Sequence, residues 1–455
     1  MMDYTFNIAP LSRTVSLEEE ILKRIKPTPE EEKEIMDVAE DLVERSLSII
    51  SEMGIDAEPI IVGSVAKGTF LKNPDIDIFI RFPPETPREE MERLGIEIGR
   101  AIIPDGRENY AEHPYIHGVY RGFEVDIVPC YRIEDGSKKM SAVDRTPFHT
   151  EYIKSHISEE QKDEVRLLKR FMKGIGVYGA EAEIEGFSGY LTELLIIYYG
   201  SFMDVLRASQ RWKRGTRLSL EEDKGNRFDD SLIFIDPVDP KRNVASALSV
   251  DSFALFIYAA HEYLSKADER FFFPKKREAA SYEEIRAEIE RKGTEIIGFE
   301  IDRPDLVHDV LFPQIKKAKR TVAQRLNDAG FTVLSSTYKA YDDKITFIYE
   351  LEVHTLPSVK KHYGPPVWHP NSENFLKKWK NIHKRIEMGR WVVQIPREDR
   401  DALSYLKRTI PDANLGKDLT EIAKKSFRVL SRKDIIHEHA MLITEMLFPL
   451  FPWQI

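Results

Sequence analysis

Residues 63–80 read GSVAKGTFLKNPDIDIFI, and this stretch constrains the chain more than any other. A glycine-serine turn leads, through a second glycine and a threonine, into a segment where Asp75 and Asp77 alternate with Ile76, Ile78 and Ile80. Successive side chains of a strand point to opposite faces, so the isoleucines face a core and both aspartates share the other face. Taken alone, such a pair is more often a solvated strand face. Two carboxylates at that spacing also make an oxygen-only site for a hard cation, and Mg2+ binds through one or two carboxylates together with the phosphates of a substrate. The turn at Gly63 and Ser64 is placed to offer backbone N–H groups and a hydroxyl to those phosphates. Two-metal phosphoryl transfer takes a further carboxylate that bridges the ions. The pattern GFEVDIVP, Gly122 to Pro129, supplies Asp126, which again alternates with apolar Val125 and Ile127.

A chain of 455 residues has room for two to four domains. Hydrophobic residues at 42% and charged residues at 32% describe a soluble globular protein. The formal net charge of −10 argues against coating nucleic acid non-specifically, although an acidic total can conceal a basic face. Cys130 is the single cysteine, which excludes an intrachain disulfide and fits a reducing compartment. Its place after a strand and Pro129 reads as a buried structural thiol. The N-terminal MMDYTFNIAPLSRTVSLEEEILKRIKP has neither a basic start nor a continuous apolar stretch, and no apolar run is long enough for a membrane span. A cytoplasmic protein without a membrane partner is expected.

From Ser16 to Met53 the pattern is helical, in two pieces separated by Pro27, with Ser16 and Glu19 placed as a capping pair. A strand, Pro59 to Val62, feeds the Gly63 turn. A helix of about fifteen residues follows Pro87, and Tyr115 to Pro129 reads as a hairpin whose second strand carries Asp126. Helices dominate from Ser158: Glu164 to Gly174, a long apolar one from Gly189 to Ser209, and another from Asn243 to Ser265. After a charged joint at Pro274 to Glu278, strands alternate with a helix again: Glu295 to Ile301, helix Pro304 to Ala329, then Thr332 to Ala340, Lys344 to Leu356 and Trp391 to Pro396. That order suggests a small α/β layer like those of RNA-recognition folds.

Three dense polar stretches in the middle of the chain stand out: Asp144-Arg-Thr-Pro-Phe-His149, the pair Lys169 and Tyr178, and Asp236-Pro-Val-Asp-Pro-Lys-Arg-Asn243. They are either hinges between domains or the wall of a cleft that holds a nucleotide opposite the aspartates. In the C-terminal half, Lys316 to Arg325, Lys360 and Lys361, Lys377 to Arg385 around Trp379, and Lys424 to Arg428 are basic clusters on an acidic chain. Each alone is a solvated face, but together they point to a nucleic-acid backbone. His437 and His439 flank Glu438 without a recognisable third zinc ligand, and Phe271, Phe272 and Phe273 read as core packing.

The series GSVAKGT, DIDIF, VDIVPC, DRTPFH, RLLKRF, GFSGYL and DPVDPKRNVA resembles the archaeal, class I CCA-adding enzymes, which are tRNA nucleotidyltransferases. The resemblance implies an α+β multidomain protein: a nucleotidyltransferase head over residues 1–146 with helices on a small mixed sheet, a helical neck over 147–275, an α/β body over 276–356 completed in part by later residues, and a mainly helical tail over 357–455. It implies addition of C, C and A to the tRNA 3′ end from CTP and ATP with release of pyrophosphate. Asp75, Asp77 and Asp126 would hold two Mg2+ ions. Gly63, Ser64 and Lys67 would meet the triphosphate from the turn, with Lys169 and Tyr178 from the neck. Thr146 and His149 would contact the ribose or the phosphates, and Arg242 the base edge and the tRNA backbone. The tRNA partner would be held by its acceptor stem, 3′ end and elbow, and a homodimer is compatible with the family. Two positions depart from better-known members: Lys67 stands where Arg is frequent, and Asp75 where some members have Glu. Another template-independent RNA nucleotidyltransferase, such as a poly(A) polymerase or an oligoadenylate synthetase, and an inactive RNA-binding protein are the competing readings.

Overall fold

The computed structural model describes residues 16–455 except 111, 112 and 139, so the reading of the N-terminal stretch up to residue 15 lies outside the described residues. The chain divides into two compact units: one runs to Lys276 and takes back Phe451–Ile455, and the other is Arg277–Leu450. Among the described residues, no helix is long and apolar enough to cross a membrane.

In the first unit, α1 (Leu17–Ile25) and α2 (Pro29–Met53) are separated where expected. Thr28 caps α2 and Glu31 closes a full capping box, while Gly54 ends the helix in the left-handed region. Next come β1 (Glu58–Val62), α3 (Gly63–Lys67), β2 (Ile76–Phe82), α4 (Arg88–Ile102), β3 (Arg107–Tyr110), β4 (Pro114–Tyr120) and β5 (Phe123–Tyr131). The five strands form one mixed sheet in the order β1-β2-β5-β4-β3, with β2 and β5 parallel and the other neighbours antiparallel. Ile76, Ile78, Ile80, Val125 and Ile127 are completely buried against α2 and α4, as the alternation required. Arg121 and Gly122 both take positive φ, +48° and +88°, which closes the β4–β5 hairpin in two residues. The opposite face of the sheet is apolar beyond Asp77, where Val62, Phe79, Val128 and Cys130 pack together. The polar site is thereby confined to one end of the sheet. Cys130 is fully buried, and burial pushes its thiol up, so it is a structural residue.

The rest of this unit comprises α5 (Thr146–His156), α6 (Glu159–Gly174), α7 (Gly189–Tyr199), α8 (Phe202–Ser209), β6 (Thr216–Leu218), β7 (Leu232–Phe234) and α9 (Val250–Ser265). The long apolar helix of the sequence reading is two helices. Gly200 takes φ +101° and Ser201 caps α8, accepting from Asp204 N. Asn243 to Leu248 is likewise not helical, and α9 begins only after its cap, Ser249. The parallel pair β6 and β7 was not anticipated. The core here is aromatic. Phe171, Phe202, Phe256, Tyr263 and Phe272 are all buried, and Trp453 stacks on Phe271 at 4.9 Å between ring centroids. The packing role expected of Phe271 and Phe272 holds.

The second unit contains α10 (Tyr282–Lys292), β8 (Glu295–Asp302), α11 (His308–Ala329), β9 (Val333–Ala340) and β10 (Lys344–Leu351), followed by β11 (Val359–Pro366), α12 (Ser372–Lys378), β12 (Lys384–Glu387) and β13 (Arg390–Pro396). It ends with α13 (Ala402–Thr409), α14 (Lys417–Lys425), β14 (Arg428–Leu430), α15 (Arg432–Glu438) and α16 (Ala440–Leu447). The larger sheet is antiparallel in the order β14-β8-β10-β9. The strand Trp391 to Pro396 belongs instead to a separate three-stranded sheet, β11-β13-β12. Turns beside that smaller sheet expose Trp368 at 80%, just after β11, and Met388 at 97%, in a tight turn with Gly389.

Candidate active site

The parallel pairing of β2 and β5 sets Asp77 directly beside Asp126, and Asp75 lies two residues before Asp77 at the entry to β2. The three aspartates that the sequence singled out therefore meet at one end of the sheet. Asp77 is crowded. Burial, then the charges of Asp126 and Asp75, push its carboxyl up to about 7, against which Lys67 acts weakly. Asp75 is raised by burial and by Glu124 and Asp126. Asp126 is raised by burial, which its contact with His117 only partly offsets: His117 Nδ1 lies 2.7 Å from Asp126 Oδ1. Carboxylates that resist ionising next to one another, and that offer oxygen donors alone, suit a hard divalent cation.

The turn expected after β1 is helical: Gly63 to Lys67 form the short α3, which Gly68 terminates at φ +69°. Gly63 also has φ +69°, and a Cβ added there would lie 2.0 Å from Asp77 Oδ2. Only glycine leaves room for the carboxylate. Ser64 lies in the first turn, partly exposed.

Lys67 and Lys169 do not project freely. Both are buried and share one carboxylate, Glu193 of α7. Lys67 Nζ donates to Glu193 Oε2 at 2.6 Å, and Lys169 Nζ reaches Glu193 Oε1 at 3.3 Å and the Thr69 carbonyl at 3.1 Å. Thr69 Oγ1 donates to the same Glu193 oxygen at 2.6 Å. Tyr178 lies next to this group: its phenol faces Gly189, where a Cβ would approach the hydroxyl to 3.0 Å, and Lys173 Nζ lies 5.3 Å from its ring centroid. Burial, with the charges of Glu193, Glu181, Asp75 and Asp77, keeps the Tyr178 phenol protonated.

A second cluster forms on Asp236, which is fully buried. Its carboxylate meets His149 Nε2 at 3.0 Å, Arg242 Nη1 at 2.9 Å, Tyr190 OH at 3.2 Å and Val238 N at 3.0 Å. Burial raises the Asp236 carboxyl, but the bond from His149 and the charges of His149 and Arg242 outweigh it and hold it at about 2. Burial lowers His149, which its bond to Asp236 and the charge of Asp236 oppose; a carboxylate only accepts, so Nε2 carries a proton and donates it to Asp236. Tyr190 stacks on His149 at 4.0 Å. A buried ion pair, Arg145 to Asp239 at 3.0 Å, ties the same loop to the residue preceding α5. Thr146 opens α5 beside that pair.

Sequence reasoning missed Glu193, Tyr190, Lys173 and His117. Glu193 carried a signal, because it is the one acid in the apolar run from Leu191 to Ile197. Tyr190 and Glu193 are three residues apart on α7 and so share one helix face. His439 is a buried packing residue, with Nε2 2.9 Å from Glu300. Glu300, Glu438 and His439 bring ligand atoms within 4.8 Å of one another, but Lys344 at 2.7 Å and Arg428 at 3.5 Å already neutralise Glu300.

Three family descriptions match the chain: "nucleotidyltransferase domain" over residues 43–149, "tRNA nucleotidyltransferase, second domain" over 163–273, and "CCA-adding enzyme, C-terminal domain" over 292–432. The CCA-adding enzyme of Methanothermobacter thermautotrophicus is 40% identical over 95% of this chain and 98% of its own. The chain belongs to the CCA-adding enzymes, a family of tRNA nucleotidyltransferases. The relative from Methanosarcina mazei is 38% identical over 91% of this chain and 93% of its own. A solved structure of the poly(U) polymerase Cid1 with Mg 3′-dATP bound aligns over 55% of this chain and 92% of its own, at 16% identity and a TM-score of 0.43. The first family match spans the three aspartates, Gly63, Ser64, Lys67, Thr146 and His149, and the second spans Lys169, Tyr178, Glu193, Asp236 and Arg242. The site therefore draws on both of these family segments.

Proposed function

We propose that this chain rebuilds the 3′ end of tRNA by adding C, C and A from CTP and ATP and releasing pyrophosphate. The observation that carries the reading is the convergence of three carboxylates at the end of the β2–β5 pair, beside Lys67 and its partner group with Lys169, in a chain 40% identical to a CCA-adding enzyme along nearly its whole length.

Asp75, Asp77 and Asp126 would hold two Mg2+ ions, which supply activation of the tRNA 3′ hydroxyl and charge neutralisation at the departing pyrophosphate. Asp126 is kept in place by His117, and Asp77 by the close fit against Gly63. Ser64, Lys67, Lys169 and Tyr178 would bind the triphosphate, and Thr146 and His149 the sugar and phosphates. Arg242 remains partly exposed after pairing with Asp236 and would read the base. A guanidinium offers donors and no acceptor. It can pair with the unprotonated ring nitrogens of cytosine and adenine and is repelled by the N–H groups that uracil and guanine present at the corresponding edge. A buried mismatch of that kind costs far more than a difference in shape.

The four-part division into head, neck, body and tail stays part of this reading, as do the acceptor-stem and elbow contacts, a cytoplasmic place of work and an accommodated homodimer. The tRNA backbone is assigned to residues 359–396, where eight Lys and Arg stand against two Glu in an acidic chain. Within this stretch Lys361 and Arg385 share Glu387, while elsewhere Arg325 donates to the Thr409 and Asp412 carbonyls and Arg428 pairs with Glu438. An enzyme acting on every tRNA reads A-form shape rather than sequence.

The deciding experiment incubates a tRNA transcript lacking its CCA with CTP and ATP in Mg2+. A product three nucleotides longer, ending in CCA, is expected. Open-ended A tails, or no extension, would overturn the reading.

A further inference from the structure

Lys67 and Lys169 come from different elements, the end of α3 and the middle of α6, and each ammonium is nearly closed off from solvent. Two cations brought together in that way repel each other and lose hydration. Glu193 answers both costs. Its side chain is 1% exposed, one oxygen takes Lys67, and the other takes Thr69 and the weaker contact from Lys169. Burial lowers Lys169, and Glu193 counteracts that shift. The charged and titratable groups facing Lys169 are Glu193 from α7 and Arg166 and Lys173 from its own helix. Lys67, across the carboxylate, completes the group. Glu193 is 1% exposed and both of its oxygens accept from these neighbours, so it is closed off from a cation or a nucleotide in the cleft.

We propose that Glu193 is a positioning residue for nucleotide binding, which holds Lys67 and Lys169 as a preassembled pair of ammonium groups while touching neither nucleotide nor metal. The inference rests on the reading of these lysines as triphosphate ligands. One carboxylate against two ammoniums leaves a single net positive charge in fixed positions. The triphosphate then meets donors that need no reorganisation. Glu193 thereby acts on affinity for the nucleotide and leaves the step at the aspartates alone.

The test is steady-state addition of A to a full-length tRNA ending in CC, with ATP varied, for the wild type, Glu193→Gln, Lys169→Met and the double variant. Glu193→Gln keeps the shape and removes the charge. It is expected to raise KM for ATP about tenfold, the scale on which loss of an outer-shell partner weakens metal ligands, with kcat and the KM for tRNA little changed. The double variant should raise KM by less than the product of the two single effects, because Glu193 acts in part through Lys169 and in part through Lys67. A fall in kcat at unchanged KM, or effects that multiply in the double variant, would overturn the proposal. If Glu193→Gln does not fold, Glu193→Asp decides: it keeps the charge but shortens the reach to Lys67 and Lys169, and the proposal requires a raised KM for ATP with kcat retained. Lys169→Met with an unaltered KM for ATP would instead refute the triphosphate reading. A raised KM in Lys169→Met beside a normal Glu193→Gln would refute the role of Glu193 alone.

Discussion

At Gly63 one methyl group decides whether the site exists. A Cβ there would meet Asp77 Oδ2 at 2.0 Å, and the backbone is in the left-handed region, so Gly63→Ala must displace either the turn or the carboxylate. Nucleotide addition should fall by about 10²-fold or more, with far-ultraviolet circular dichroism retained. Asp77 itself carries an opposing pair of effects. Its folded carboxyl is raised from 3.8 to about 7, so the folded state binds this proton more tightly than the unfolded state does. Stability from this group is present at low pH and is lost as pH rises from about 4 through 7. Asp77→Asn should abolish activity by about 10³-fold, while at pH 8 and without divalent cations it melts several degrees above the wild type. The melting difference should vanish below pH 4 and shrink when Mg2+ is added to the wild type. A variant melting lower than the metal-free wild type at pH 8 would contradict this.

The elements that position the site differ in how legible they were. β2 and β5 announced themselves, because strict alternation of isoleucine or valine with aspartate fixes both the strand and its face, and Ile76, Ile78 and Ile80 are completely buried. The Thr28 cap and the β4–β5 turn were likewise local matters of a few residues. The sequence reads α7 and α8 as one helix because α7 is apolar all round and hides where it turns, and only Gly200 and the cap Ser201 mark the break. β6 and β7 span three residues each, too few for a period, and β14 joins β8 from far along the chain. The same limit hid Glu193: its charge was visible, but its partners lie 126 and 24 residues away. The loop from Asp236 to Asn243 depends on α5 and the residue before it in a way no periodicity encodes, through His149 and Arg145. Asp236 is held at about 2, below its unfolded 3.8, so it stabilises the fold above pH 4 and that contribution is lost as pH falls toward 2. Asp236→Asn should cost on the order of 2 kcal/mol at pH 7, measured by denaturant unfolding, with the difference narrowing between pH 4 and 2.

Over the whole molecule, charge is segregated. The chain carries −10, yet residues 359–396 hold eight cationic side chains and two acids, beside an indole that is 80% exposed. Affinity for tRNA should fall steeply with salt, and Lys377→Ala with Lys380→Ala should lower the slope of log affinity against log salt by about 0.9 for each phosphate that is no longer neutralised. An unchanged slope would remove these lysines from the interface. Such a distribution also bears on how fast the partners find each other. On the proposed interface, tRNA diffusing toward this acidic chain would be drawn in at residues 359–396, so that productive collisions begin there. Mutating those lysines should therefore slow the encounter itself, leaving the lifetime of a complex held elsewhere nearly as long as before.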